Sequence, residues 1–323
     1  MKLVSTRLLS IKISVIFTVA LFLSACTNMA FQKQVDSLKT TLPLQAKIVN
    51  IPFFAQEEYE CGPAALAMAL QASGIKVFPH QLTEQVFIPG RKGALQIEML
   101  AAARRNGALS YQLSPNIETI LREVVAGNPV IVFQNLSLSI YPVWHYAVVV
   151  GYDLQRQTLS LRSGVTENLE ISFFTFEKTW VRGNYWAMLA LSPDKLPVTA
   201  QEDKLITPLI NLERVNTKAA QVAYQTALQQ WPSNPTFLLG AGNTAYQLGQ
   251  LQEAKQAYLL ATKQLPELAD AWNNLAQVLF ELEEIESAQT AIDQAVTLSG
   301  EHLTQYLDLK RQITVAISAK LRK

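Results

Sequence analysis

Two cysteines occur in the 323-residue chain, and Cys61 has the surroundings of a nucleophile. It lies in Gln56-Glu-Glu-Tyr-Glu-Cys61-Gly-Pro-Ala-Ala-Leu-Ala-Met-Ala-Leu-Gln-Ala-Ser-Gly74. Ala64 to Leu70 are strong helix formers, and Gly74 suits the position just past a helix end. Pro63 fits a first helical turn, where its missing N–H costs nothing. The pattern therefore puts Cys61 at a helix N-terminus, where the dipole and free N–H groups are expected to lower a thiol's pKa. A thiol nucleophile needs a base. The best placed is His145, which opens the β-branched run His145-Tyr-Ala-Val-Val-Val150. A histidine at the start of a buried strand is either a core residue with its hydrogen bonds met or a functional one. The other two histidines, His80 and His302, lie in polar, helical segments and are weaker candidates.

The elements that must position these residues read as α+β. An extended apolar run with a proline covers 46–55. Helices are expected over 80–87, 94–106, 116–126 and 173–181. Strands are expected over 130–134, 145–152, 157–162 and 184–191, with Gly127-Asn128-Pro129 breaking the helix before the first of these strands.

Gln56-x4-Cys61-Gly62-Pro63-Ala64-Ala65-Leu66, together with Trp144-His145-Tyr146-Ala147-Val148-Val149-Val150-Gly151-Tyr152-Asp153, resembles the C39 cysteine peptidases over roughly residues 45–192. These are papain-like domains known for clipping leader peptides after a double glycine. The resemblance implies Cys61 as nucleophile, His145 as general base and acid, and Gln56 as an oxyanion donor beside the Cys61 backbone N–H. It implies acyl transfer through a thioester. One part of the pattern is missing. The family's orienting Asp would fall in Thr158-Leu-Ser-Leu-Arg-Ser163-Gly164, where Ser163 takes its place. Asp153 is a carboxylate nearby, but it follows the His strand and the motif gives it no role. Two readings stay open: a peptidase acting on a peptide or protein, and a weak or inactive peptide-binding adaptor. Acyl transfer to an amine is a third use of the same machinery.

The N-terminus reads as an address. Lys2, Arg7 and Lys12 precede an uncharged stretch from Ile13 to Leu23, as in a secretory signal. Leu23-Ser24-Ala25-Cys26 resembles the lipobox of bacterial lipoproteins. The resemblance implies cleavage before Cys26, lipid on Cys26, and a membrane anchor. Thr27, where an Asp would signal retention, points to the outer membrane, with the body facing the periplasm.

The C-terminal third repeats every 34 residues. Ala220, Ala254 and Ala288 share that spacing, as do Tyr224, Tyr258 and Ile292, and then Ala227, Ala261 and Ala295. Pro232, Pro266 and Gly300 follow it too, as do Leu238 and Trp272. Small residues let helices approach while an aromatic fills the gap between pairs. This helix–turn–helix period resembles the tetratricopeptide repeat, whose arrays hold a peptide or a helix in a concave groove. The expected organisation is a signal peptide over 1–25, a tether over 26–44, and a C39-like α+β papain-like domain over 45–192. A linker over 193–211 leads to an all-α repeat domain over 212–302, with a half repeat at 212–234 before two full ones. A cap helix fills 303–323.

Composition narrows the rest. Hydrophobic residues make up 49% and charged residues 16% of the chain, which excludes a disordered protein. Lys+Arg is 27 against 26 Asp+Glu, so a phosphate-backbone binder is excluded and no nucleic-acid partner is expected. Two cysteines and three histidines are too few for a thiolate or histidine metal cage. No cofactor is expected. The expected partners are a peptide or protein substrate, a protein held by the repeats, and the membrane.

Overall fold

The computed structural model describes residues 33–56, 60–91 and 93–320. The expected signal peptide, Cys26 and the last three residues lie outside them. No helix among the described residues is long and apolar enough to cross a membrane.

The N-terminal domain is built on one antiparallel sheet. In chain order its strands are β1 (Gln45–Lys47), β4 (Leu109–Gln112), β5 (Val130–Asn135), β6 (Trp144–Asp153), β7 (Thr158–Ser163), β8 (Thr166–Ser172) and β9 (Ala187–Leu191). Their order across the sheet is β4-β9-β5-β6-β7-β8, with β1 pairing the end of β6. Central β6 is buried from Tyr146 to Tyr152, which is why its sequence is a continuous Val-rich run rather than an alternating one. A two-stranded ribbon, β2 (Phe87–Ile88) with β3 (Gly93–Ala94), stands apart.

Helices cover both faces. On one lie α1 (Cys61–Ala72), α2 (Pro79–Val86) and α3 (Gln96–Arg105). Nine consecutive residues of α1, from Gly62 to Leu70, are buried, so this helix is apolar all round and sits in the core. Leu66, Met68 and Leu70 join Val148, Val150 and Met188 from the sheet there. Burying one such side chain contributes about 1.5–3 kcal/mol. The other face carries α4 (Ile117–Val125) and α5 (Phe173–Val181), with Trp180 and Phe176 fully buried. Asn116 and Ser172 cap these two helices by accepting from Glu118 and Thr175 backbone N–H groups.

The expected strand 184–191 is shorter than its sequence suggested. Asn184 and Tyr185 have positive φ in a turn, so only Ala187–Leu191 is extended. β4 and β8 had no separate expectation. β8 is exposed or half-buried along its length and alternates polar with apolar residues at a sheet edge. His302 sits in the turn before the last helix rather than in a helix.

The C-terminal region is a stack of antiparallel helices: α6 (Glu202–Glu213), α7 (Thr217–Gln230), α8 (Pro235–Gln247), α9 (Leu251–Gln264), α10 (Ala269–Glu281), α11 (Ile285–Leu298) and α12 (Leu303–Lys320). One expectation is corrected here. The stretch 193–211 is not a plain linker, because α6 fills most of its second half with Pro208 inside the helix. The stretch 212–234 holds one helix, α7, as a half repeat would, and the helix that packs along it is α6. The tyrosines that follow the 34-residue spacing are closely packed. A Cβ on Gly240 would fall 2.3 Å from the Tyr224 ring, and one on Gly242 would fall 2.3 Å from the Tyr258 ring. Tyr224 thus lies against a glycine of the next helix pair, and Tyr258 against a glycine of its own pair.

The two regions share a core. Leu205, Leu209 and Leu212 of α6 and Tyr224 of α7 belong to the same buried cluster as Tyr111 of β4 and Ile117 of α4. Glu123, fully buried, accepts from the Thr199 N–H and hydroxyl at 2.8 and 2.6 Å and from Asn128 at 2.7 Å. The connecting segment is thereby tied to the N-terminal domain.

Candidate active site

Cys61 is the first residue of α1, as its sequence context predicted. The Glu60 carbonyl accepts the first helical bond, from Ala64, and Pro63 occupies the first turn without losing a donor. Gly62 is there for space. A Cβ at that position would lie 2.7 Å from Ala94 Cβ and 3.3 Å from Met99 Sδ, with the Tyr146 ring at 3.6 Å. The small residue lets the ribbon, α3 and β6 close behind the thiol.

His145 is the second residue of β6. Its Nε2 lies 2.8 Å from Ser163 Oγ at the end of β7. Ser163 therefore stands beside the histidine, where the family's carboxylate was expected. A carboxylate there would only accept, which would fix an N–H on Nε2 and favour the charged ring. A hydroxyl both donates and accepts, so it fixes neither the tautomer nor a charge.

Gln56 is buried, and its backbone N–H donates to the Gly164 carbonyl at 3.0 Å. Its side-chain Oε1 accepts from the Gly164 N–H at 3.0 Å, while Nε2 donates to the Tyr146 carbonyl at 3.3 Å. These bonds set which end of the amide points where. They leave a second Nε2 hydrogen without a protein acceptor among the described residues.

Arg162 supports the arrangement and carried no functional expectation. Its Nη2 donates to the Ile51 carbonyl at 3.2 Å and its Nη1 to the Glu167 carbonyl at 3.0 Å. It also pairs with the Glu167 carboxylate at 2.5 Å and lies 5.9 Å from the centre of the Phe53 ring. One buried guanidinium thus holds the 51–56 segment against the strand that bears Ser163. The sequence signal was a charge beside Leu161 in a strand that leaves no room for a solvated one.

Electrostatics depart from expectation at the thiol. Burial raises the Cys61 pKa, and this outweighs the lowering by backbone groups of Tyr146, Gly62 and Cys61 itself. The expected net lowering is therefore corrected: desolvation outweighs the backbone N–H groups around the thiol. Burial pushes His145 down to about 4. At neutral pH the site holds a neutral thiol and a neutral imidazole. Among the described residues the thiol makes no hydrogen bond to the His145 ring. Its link to that strand is the backbone of Tyr146, the next residue.

Aromatic rings line the strand end. Phe133 stacks on Trp144 at 5.1 Å and meets Tyr146 at 4.7 Å, with Trp186 at 5.8 Å from Tyr146. The β5–β6 turn beside them exposes Leu138, Ile140, Tyr141 and Val143. His80 and His302 are exposed and stand elsewhere, His302 beside Asp270 at 2.9 Å. Asp153 accepts from the Gln155 and Arg156 N–H groups in the turn after β6, at the far end of that strand from His145. Among the described residues no group of three or more His, Cys, Asp or Glu is arranged to hold a metal.

Comparison with known proteins follows the same division. The Peptidase_C39 like family matches residues 48–187. Tetratricopeptide repeat models match residues 212–267 and 241–301. No curated protein sequence matches the chain. Among solved structures, a C39-like peptidase from Bacillus anthracis is 20% identical, covering 45% of this chain and 96% of its own, with a TM-score of 0.38. A double glycine motif protease from an AMS/PCAT transporter, in complex with the leader peptide, is 21% identical over 45% of this chain and 92% of its own, with a TM-score of 0.34. The Sgt2 repeat domain from Aspergillus fumigatus is 22% identical over 39% of this chain and 84% of its own, with a TM-score of 0.35. The chain thus has a C39-like peptidase domain followed by tetratricopeptide repeats.

Proposed function

We propose that this chain is a cysteine peptidase of the bacterial envelope that cleaves a peptide bond through a thioester. One observation carries the reading. Gln56, Cys61, His145 and Ser163, distant in sequence, are gathered where the start of α1 meets the adjoining ends of β6 and β7.

In this reading His145 takes the Cys61 proton as sulfur bonds to the substrate carbonyl carbon. The carbonyl electron pair moves onto oxygen, where the free Gln56 Nε2 hydrogen and the Cys61 backbone N–H stabilise it. Collapse breaks the C–N bond, and the leaving amine takes the proton from His145. Water then attacks the thioester, again giving its proton to His145, and the carboxylate leaves as the thiol is restored. The competent resting state is the neutral pair, present above about pH 4 and below the raised thiol pKa.

Two further parts belong to the proposal. The lipobox resemblance supports a lipid anchor on Cys26 and an outer-membrane site. Radioactive fatty acid should label the chain but not a Cys26→Ser variant, and persistent labelling would overturn the anchor. The repeats support a bound protein or peptide partner. A second reading, an adaptor that binds peptide without cutting it, is favoured by Ser163 and by the raised thiol pKa.

The deciding experiment uses the chain from Thr27 onward, in which Cys61 is the one thiol. Its iodoacetamide alkylation is followed from pH 5 to 9 beside His145→Ala. A base-assisted thiol should react at least about tenfold faster than the variant near neutral pH. Equal rates would sink the peptidase reading and favour the adaptor. Incubation with a peptide library then separates hydrolysis, which releases carboxylates, from transfer, which makes new amides.

A further inference from the structure

A cavity of about 420 Å3 lies away from Cys61, at the junction of the two regions. This is within the usual range for small-molecule sites. One wall is α3, which turns Leu100 and Arg104 to the cavity. The other is α6, which presents Lys204, Thr207, Pro208 and Asn211 along one face. Ser110 of β4 and Ser114 lie on the floor between them.

The charge in this cavity is one-sided. Arg104 and Lys204 line it, and among the described residues no Asp or Glu does. Arg104 Nη1 donates to Ser110 Oγ at 2.9 Å, and Lys204 Nζ donates to Ser114 Oγ at 3.1 Å. Neither cation has a carboxylate partner among the described residues. The nearby acid on α3, Glu98, is paired with Arg105 instead. Arg104 is half-buried, and burial together with the neighbouring Arg105 lowers its pKa. A desolvated guanidinium without a counter-charge favours a bound anion, and its planar fork matches a carboxylate. Leu100, Leu113, Pro115 and Pro208 supply an apolar lining beside the cations.

We infer that this junction cavity binds a small carboxylate with an apolar body, its charge held between Arg104 and Lys204. The ligand would touch both regions at once, through α3 on one side and α6 on the other. The same α3 packs Met99 against Gly62, next to Cys61, so an occupant would sit one helix away from the thiol.

Calorimetry on the full chain tests this, with hexanoate as the probe. Hexan-1-ol and inorganic phosphate are the comparison ligands. One hexanoate per chain is expected, with both comparison ligands at least about tenfold weaker, as befits a charge-assisted contact plus an apolar one. Arg104→Gln and Lys204→Gln should each weaken hexanoate at least about fivefold, while Arg104→Lys keeps part of the affinity. Circular dichroism melting of each variant confirms that it is folded. No hexanoate binding, equal binding of hexan-1-ol or of phosphate, or unchanged affinity in both Gln variants would each overturn the assignment. The readout is binding, so it is independent of whether Cys61 is catalytic.

Discussion

In the N-terminal domain the Gln56 side chain reaches Gly164 across 108 positions, and His145 meets Ser163 from a neighbouring strand. In the repeats the polar contacts have a short, recurring reach. Lys255 pairs with Glu284 at a separation of 29, Asn274 donates to Asn243 at 31, and His302 meets Asp270 at 32. Each of these is close to one repeat. The first region gathers its groups through a sheet, so displacing one strand moves several of them. The second region stacks units that touch only their neighbours, so damage stays local. Chemistry that needs several groups in one place suits the first arrangement, and an extended contact surface suits the second.

The sharpest way to test this contrast is at Gln56. Gln56→Ala removes the proposed oxyanion donor and the bond to Gly164 together. Turnover should fall about 100- to 1000-fold. The melting of the repeats, followed by hydrogen exchange, should be unchanged. A variant that loses repeat protection would break the contrast.

His145 offers the next largest effect. Its pKa is 6.5 in an ordinary setting and about 4 here, so the unfolded chain takes up a proton more readily. The sign follows from that. Stability contributed by the neutral buried ring is full above about pH 6.5 and is lost as pH falls through the window toward 4. The loss over that window is about 3 kcal/mol. Denaturant unfolding against pH checks it, and His145→Asn should flatten the slope between pH 6.5 and 4.

A smaller and more local effect is expected in the repeats. Gly242→Ala puts a Cβ against the buried Tyr258 ring. Overpacking of this kind costs about 1–3 kcal/mol, somewhat offset by alanine's better helix propensity. Hydrogen exchange should quicken around α8 and α9, while Cys61 alkylation stays at its original rate. A changed alkylation rate would show that the two regions are coupled more tightly than nearest-neighbour contacts imply.

Much of this was legible in the chain itself, for identifiable reasons. The Cys61 helix start was visible because Pro63 and Gly74 bracket a run of strong helix formers. The repeats were visible because Ala220, Ala254 and Ala288, with Tyr224, Tyr258 and Ile292, recur at one period, so the same constraint is written several times. α6 was hidden. Pro208 lies inside it and a proline usually argues for a break, yet Leu205, Leu209 and Leu212 bury a continuous face against β4 and α7. The bonds of Gln56 to Gly164 and of Arg162 to Ile51 were hidden as well, because nothing in local spacing reports which strands become neighbours. The pKa of Cys61 was misjudged for a related reason. Helix position is a local property, whereas desolvation depends on everything that packs around the helix start.

The buried cluster that joins β4 and α4 to α6 and α7 bears on how this gene can be cut and recombined. The peptidase-like and repeat matches part between residues 187 and 212, but the packing does not divide there. A truncation after residue 192 would lay bare the faces of Tyr111 and Ile117 that meet the α6 leucines, and would leave Glu123 without Thr199. The same break would strand Leu205, Leu209 and Leu212 on a repeat array that begins with an uncovered apolar helix. The packing unit here is therefore the joined pair. Either half transplanted into another protein would have to bring a substitute for the surface it left behind.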